Sequence, residues 1–148
     1  MREYEKPLEA LACALVQSLD EWSEGLEKAM ERSQCSRSGL VNRLREASPK
    51  IDKPLLGYWL LGREQLLDDK RASRRVPTIQ DTARILTSLR NVEERERRSL
   101  MMTAERIALH RAQLRRVKGY RWRQAAVTAV RASERFIDRG ESAAAAQA

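Results

Sequence analysis

The residues of this chain whose chemistry stands out are cations, and they gather past its first thirty residues. Arg37, Arg43, Lys50, Lys53 and Arg63 precede the run KRASRR, in which Lys70, Arg71, Arg74 and Arg75 place four positive charges in six residues. Guanidinium and ammonium groups at this density suit phosphates, the main source of affinity in nucleic-acid complexes. Catalysis has no comparable signal. The one histidine is His110, Cys13 and Cys35 show no paired spacing, and there is no glycine-rich phosphate loop and no Ser/His/Asp or Cys/His arrangement. No enzymatic activity, metal or cofactor is expected. Cys13 sits in an apolar run and reads as a buried reduced thiol.

The charge is uneven. Residues 1–31 carry three basic and eight acidic residues, residues 32–90 thirteen and six, and residues 91–148 thirteen and seven, so an acidic head precedes a basic remainder within a net charge of +8. That asymmetry fits a nucleic-acid partner.

These cations need elements to hold them. From Ser36 to Gly62 the sequence SRSGLVNRLREASPKIDKPLLGYWLLG reads as two short helices joined by a polar turn. The first is expected over Arg37 to Ala47, with Leu40, Val41 and Leu44 on one face. Ser48-Pro49 stops it, since the residue before a proline avoids the helical region. Asp52 caps the second helix and Pro54 is tolerated in its first turn, where amides lack partners in any case. Leu56, Trp59 and Leu60 form its buried stripe, and Gly62 ends it. Two helices, a turn and a large apolar residue near the end of the second make a helix-turn-helix expectation. On its outer face, Lys53, Tyr58 and Arg63 would make polar contacts to bases or flanking phosphates, and Leu55 could touch thymine methyl groups. Arg37, Arg43, Lys50 and the Lys70–Arg75 run would hold phosphates.

IDKPLLGYWLLGRE resembles the recognition-helix stretch of Cro/repressor-type helix-turn-helix proteins, in which a small polar cap starts the helix, a Trp or Ile packs inside and a Gly ends it. Pro77-Thr78-Ile79 with QDTARILTSL looks like the next helix of such a domain, and Gly25 to Met30 like its first, so the likeness covers about residues 18 to 90. The resemblance implies control of transcription in a bacterium, phage or plasmid.

The rest of the chain is also expected to be helical, because Ala, Leu, Arg and Glu abound and β-branched runs are absent. Pro7 to Gln17 makes a first helix. Ser18 and Glu21 have capping-box spacing for a second, to about Ser33, with Trp22, Leu26 and Met30 on its core face. Thr78 and Asp81 cap a helix to Arg90, which should bury Ile79, Ala83, Ile85, Leu86 and Leu89. Asn91 to Glu94 repeats the pattern before the longest helix, which ends near Lys118 and carries Leu100, Ala104, Ile107, Leu114 and Val117 on a heptad-like seam. Gly119 separates it from a last helix, Tyr120 to Arg139, striped by Trp122, Ala126, Ala129, Val130, Phe136 and Ile137.

The expected architecture is therefore all-α: a helix-turn-helix domain of about five helices over residues 1–90, then an αα-hairpin over 91–148. The hairpin is assigned to oligomerisation through Leu100, Ile107, Leu114, Trp122, Val130 and Phe136. The expected function is sequence-specific binding of double-stranded DNA by a homodimeric regulator, a repressor first of all. Two alternatives stand beside it. One is a phage-type DNA-packaging or partition factor. The other is a protein-interaction adaptor whose apolar helix face (Leu55, Gly57, Leu61) no longer reads DNA and meets a protein partner instead. Glu3, Glu5 and Glu9 interrupt any signal peptide, and no apolar run approaches the ~20 residues of a membrane span, so no membrane contact and a cytoplasmic location are expected.

Overall fold

Leucines and alanines at helical spacing make one long helix of the N-terminal segment, whose buried face anchors the core. The structure, a computed structural model, describes residues 2–66, 76–116, 124 and 126–132. Helix α1 spans Arg2–Arg32, α2 Arg37–Leu44, α3 Lys53–Trp59, α4 Ile79–Ser88 and α5 Glu94–Arg115, with a 3-10 turn over Gly62–Leu66. Residues 126–132 are helical as well. Every regular element among the described residues is a helix, so the chain is all-α as expected.

The two expected N-terminal helices are one. Ser18 does not start a new helix: its hydroxyl donates to the Ala14 carbonyl (2.8 Å), a bond back along α1 that leaves the helix uninterrupted. Helix α1 begins at Arg2, ahead of Pro7. One face of α1, with Leu15, Leu19, Trp22 and Leu26, is wholly buried. Cys13 is exposed and Cys35 buried, which reverses the expectation for Cys13 because it lies on the outer face of α1.

The core closes around Trp22. Its ring meets Trp59 of α3 edge-on, with centroids 5.7 Å apart and planes at 85°. Its indole Nε1–H donates to Thr82 Oγ of α4 (3.0 Å). One side chain of α1 therefore fixes both α3 and α4. Such an aromatic pair contributes about 0.5–1.5 kcal/mol beyond its buried area.

Helix α2 starts at Ser36, whose hydroxyl accepts from the Gly39 amide (3.0 Å), and it ends three residues before the expected Ala47. The turn between α2 and α3 is packed, not loose: Ile51 is buried, and buried Ser48 accepts a bond from Arg84 (3.2 Å). Asp52 caps α3 as expected, accepting from the Leu55 amide (2.8 Å).

Thr78 and Asp81 form the expected capping box of α4. Ile85, Leu86 and Leu89 are buried as expected, but Ile79 and Ala83 face solvent and Asp81 and Thr82 are buried in their stead, because Thr82 must meet Trp22. Helix α4 ends at Ser88, and Asn91 then takes a left-handed conformation (φ 60°), so it reverses the chain and does not cap α5. Arg97 of α5 donates to the carbonyls of Leu86 (2.8 Å), Leu89 (3.2 Å) and Val92 (3.3 Å), one guanidinium satisfying the open end of α4.

Helix α5 runs along α1. Leu100, Ala104, Ile107 and Leu114 are buried in the same cluster as Trp22, and Arg106–Glu21 (3.1 Å) and Arg32–Glu96 (2.6 Å) ion pairs flank the contact. The acidic outer face of α1 is thereby partly engaged by α5. Ala126 and Val130 are also buried, and Ala129 shares a hollow with Cys13, Val16, Gln17 and Arg63. Val117, Trp122, Phe136 and Ile137 lie outside the described residues.

The Trp22–Thr82 bond can be tested by a double-mutant cycle. Thr82→Val should cost about 1–3 kcal/mol of stability, because it strands a buried indole N–H. In a Trp22→Phe background the same change should cost markedly less, as read from urea denaturation midpoints.

Candidate nucleic-acid interface

The helix expected to read DNA is short, and most of it faces inward. Among the residues of α3, Leu55, Leu56, Tyr58 and Trp59 are buried, with Leu55 6% and Tyr58 1% exposed. Leu55 and Tyr58 were expected to touch bases; both are corrected to core positions. Tyr58 lies inside because its hydroxyl donates to the Gln65 carbonyl in the 3-10 turn, and Leu55 because it joins the main apolar cluster. The outer side of α3 is left to Lys53, Pro54 and the half-buried Gly57.

Arg63 is also placed differently from expectation. Its backbone amide donates to Asp20 Oδ1 (2.7 Å) and its Nε to Asp20 Oδ2 (2.5 Å). The pair anchors the 3-10 turn to α1 and engages the guanidinium that was expected to reach DNA. Gly62 makes the approach possible. It sits at φ +63°, and a Cβ there would lie 2.6 Å from Asp20 Oδ1. Sequence reasoning took Gly62 as a helix stop and missed the Asp20 contact, because nothing local links positions 43 residues apart.

Arg43 is exposed, and its guanidinium donates to the Ser88 carbonyl (3.0 Å) at the end of α4. It caps a helix there. Arg37, Lys50 and Lys53 are exposed and form no ion pair among the described residues. The Arg37 guanidinium lies over Gly57, where an added Cβ would be 3.4 Å away. Lys53 stands one turn before Gly57 on the same exposed side of α3. The nearby Asp52 carboxylate is turned to the first amides of α3. Structure thus brings Arg37 of α2 and Lys53 of α3 onto one positive surface, with Lys50 in the intervening turn. Lys70, Arg71, Arg74 and Arg75 lie outside the described residues.

Of the expected oligomerisation stripe, Leu100, Ile107, Leu114 and Val130 are buried in the core of the chain itself, and Trp122 and Phe136 lie outside the described residues. Among the described residues, the large apolar side chains left outside are Leu61, Ile79, Met102 and Leu109, with Met102 and Leu109 about half exposed on α5 (53% and 55%).

No helix among the described residues is long and apolar enough to cross a membrane, and no cluster of potential metal ligands occurs among them. Compared with known family models, curated proteins and solved structures, the chain matches none.

Two substitutions separate scaffold from surface. Gly62→Ala should destabilise the chain by more than about 1 kcal/mol, since both its φ and the Asp20 carboxylate oppose a side chain. Tyr58→Phe should cost about 1–3 kcal/mol through the stranded Gln65 carbonyl, yet leave duplex DNA binding unchanged when measured well below the melting temperature.

Proposed function

We propose that this protein binds double-stranded DNA through the α2–α3 surface, gripping phosphates more than reading bases, and that it acts as a regulator of transcription. The observation that carries the reading is the surface made by Arg37, Lys50 and Lys53: three exposed cations from two helices and their turn, with no ion pair among the described residues. Phosphate contacts from such groups supply affinity and set orientation, while sequence is read by side chains at base edges. With Leu55 and Tyr58 inside the core, Lys53 and Arg37 are what remains near a groove. Discrimination between sequences should therefore be modest. The resemblance of IDKPLLGYWLLGRE to Cro/repressor-type proteins supports regulation as the role. If two copies bind paired half-sites, Met102 and Leu109 are the exposed apolar residues of α5 that can join them.

A second reading is favoured by one of the same observations. Burial of Leu55 and Tyr58 takes away the base-reading face, which is what an interaction adaptor built on this scaffold would no longer need.

Selection of duplexes from a random pool at near-physiological salt separates these. The DNA reading expects retention with weak enrichment, and enrichment of a palindrome would establish a two-fold reader. Retention with no enrichment at all would favour a packaging or architectural role. Absence of retention would overturn the DNA reading and favour the adaptor.

A further inference from the structure

A cleft of about 810 Å³ opens between the α2–α3 turn, the start of α4 and the second half of α5. Four cations from these elements line it: Lys50 from the turn, Arg84 from α4, and Arg111 and Arg115 from α5. Asp81 is the one acidic residue among the described residues lining it, and it is 2% exposed, with its carboxylate accepting from the Thr78 amide (3.2 Å). Ile79, Ala108 and Ala112 add apolar surface to the same lining. The first turn of α4 borders the same space.

Arg111 and Arg115 stand one turn apart on α5, where like charges oppose each other. Burial lowers the Arg111 pKa from its ordinary value, and the Arg115 charge lowers it further. An anion held between the two guanidiniums would offset the repulsion between them. Arg84, which donates to Ser48 Oγ (3.2 Å), adds a positioned cation from α4.

We propose that this cleft binds a small organic phosphate of two or more negative charges, with an apolar or aromatic body of nucleotide size. The volume lies within the ~300–1,000 Å³ of small-molecule sites. Charge complementarity selects the polyanion, with the guanidiniums of Arg111 and Arg115 suited to bidentate phosphate contacts. The apolar strip of Ile79, Ala108 and Ala112 gives the organic body a surface that inorganic phosphate would leave unused. The site borders the Arg37–Lys53 surface at Lys50, but its other cations, Arg84, Arg111 and Arg115, are not part of that surface, and the proposal does not depend on the DNA reading.

The test is calorimetric titration of the full chain with ATP and, separately, with inorganic pyrophosphate, at 0.15 M salt. ATP should bind measurably below 1 mM and more tightly than pyrophosphate. Arg111→Ala and Arg115→Ala should each weaken ATP binding about 10- to 100-fold, the range for a lost charged hydrogen bond. Arg115 is exposed, so its variant should keep the parent's circular dichroism and melting temperature even if Arg111→Ala does not. Lys53→Ala should leave ATP binding as it is, whatever it does to DNA. The proposal is overturned by any of three results: no ATP binding at 1 mM, pyrophosphate binding as tightly as ATP, or equal ATP binding by Arg115→Ala and the parent. Competition between ATP and a duplex, with both weakened alike by Arg115→Ala, would also overturn it by making the cleft part of the DNA surface.

Discussion

Trp22 is the constraint from which the rest of this structure follows. An indole buried to zero exposure has one polar atom to satisfy, and here Thr82 satisfies it from α4. Its ring edge is fixed against Trp59 of α3. Helices α3 and α4 thus cannot rotate independently: turning α4 outward would strand the indole N–H, and turning α3 would open the aromatic pair. The exposure of Ile79 and Ala83 is one consequence, since Thr82 must point inward. The inward face of α3 is the other.

Function is limited by the same packing. Of the seven residues of α3, four are buried, because a short helix holding Trp59 against Trp22 and Tyr58 against the Gln65 carbonyl has little circumference left for solvent. What faces out is small or cationic. A surface of that kind holds a charged backbone better than it discriminates among base pairs, since base-edge recognition relies on bidentate amide and guanidinium groups. Arg63, which extends beyond α3, is held by Asp20, and Arg43 by the Ser88 carbonyl. The long basic surface expected from composition therefore resolves into cations that hold the fold and cations that remain on its outside.

Local signals were legible in the sequence wherever their cause was local. Asp52 and Thr78 cap the helices they were expected to cap, and the all-helical class follows from Ala, Leu, Arg and Glu; Gly62, expected to end α3, instead lies past its C-cap Leu60 and opens the 3-10 turn. Errors came where a distant partner decides. Ser18 with Glu21 has the spacing of a capping box, but α1 continues because the hydroxyl finds the Ala14 carbonyl. Tyr58 looks like a surface residue on a helical wheel until its acceptor, seven residues on, is known. Leu100, Ile107 and Leu114 have the spacing of a coiled-coil seam, and a seam does not say which helix fills it; α1 of the same chain does. Among the candidate DNA contacts, spacing could place Arg37 and Lys53 on helices. It could not show that the Arg37 guanidinium lies beside Gly57 of α3.

Salt dependence of duplex binding tests the central claim most directly. The slope of log K against log salt counts the phosphates neutralised, at about 0.9 per contact on B-DNA. If Arg37, Lys50 and Lys53 grip the backbone, replacing all three by Ala should reduce the slope by about two to three. An unchanged slope in a variant that keeps the parent's fold would contradict the account, because the α2–α3 surface would then not be where this protein meets DNA.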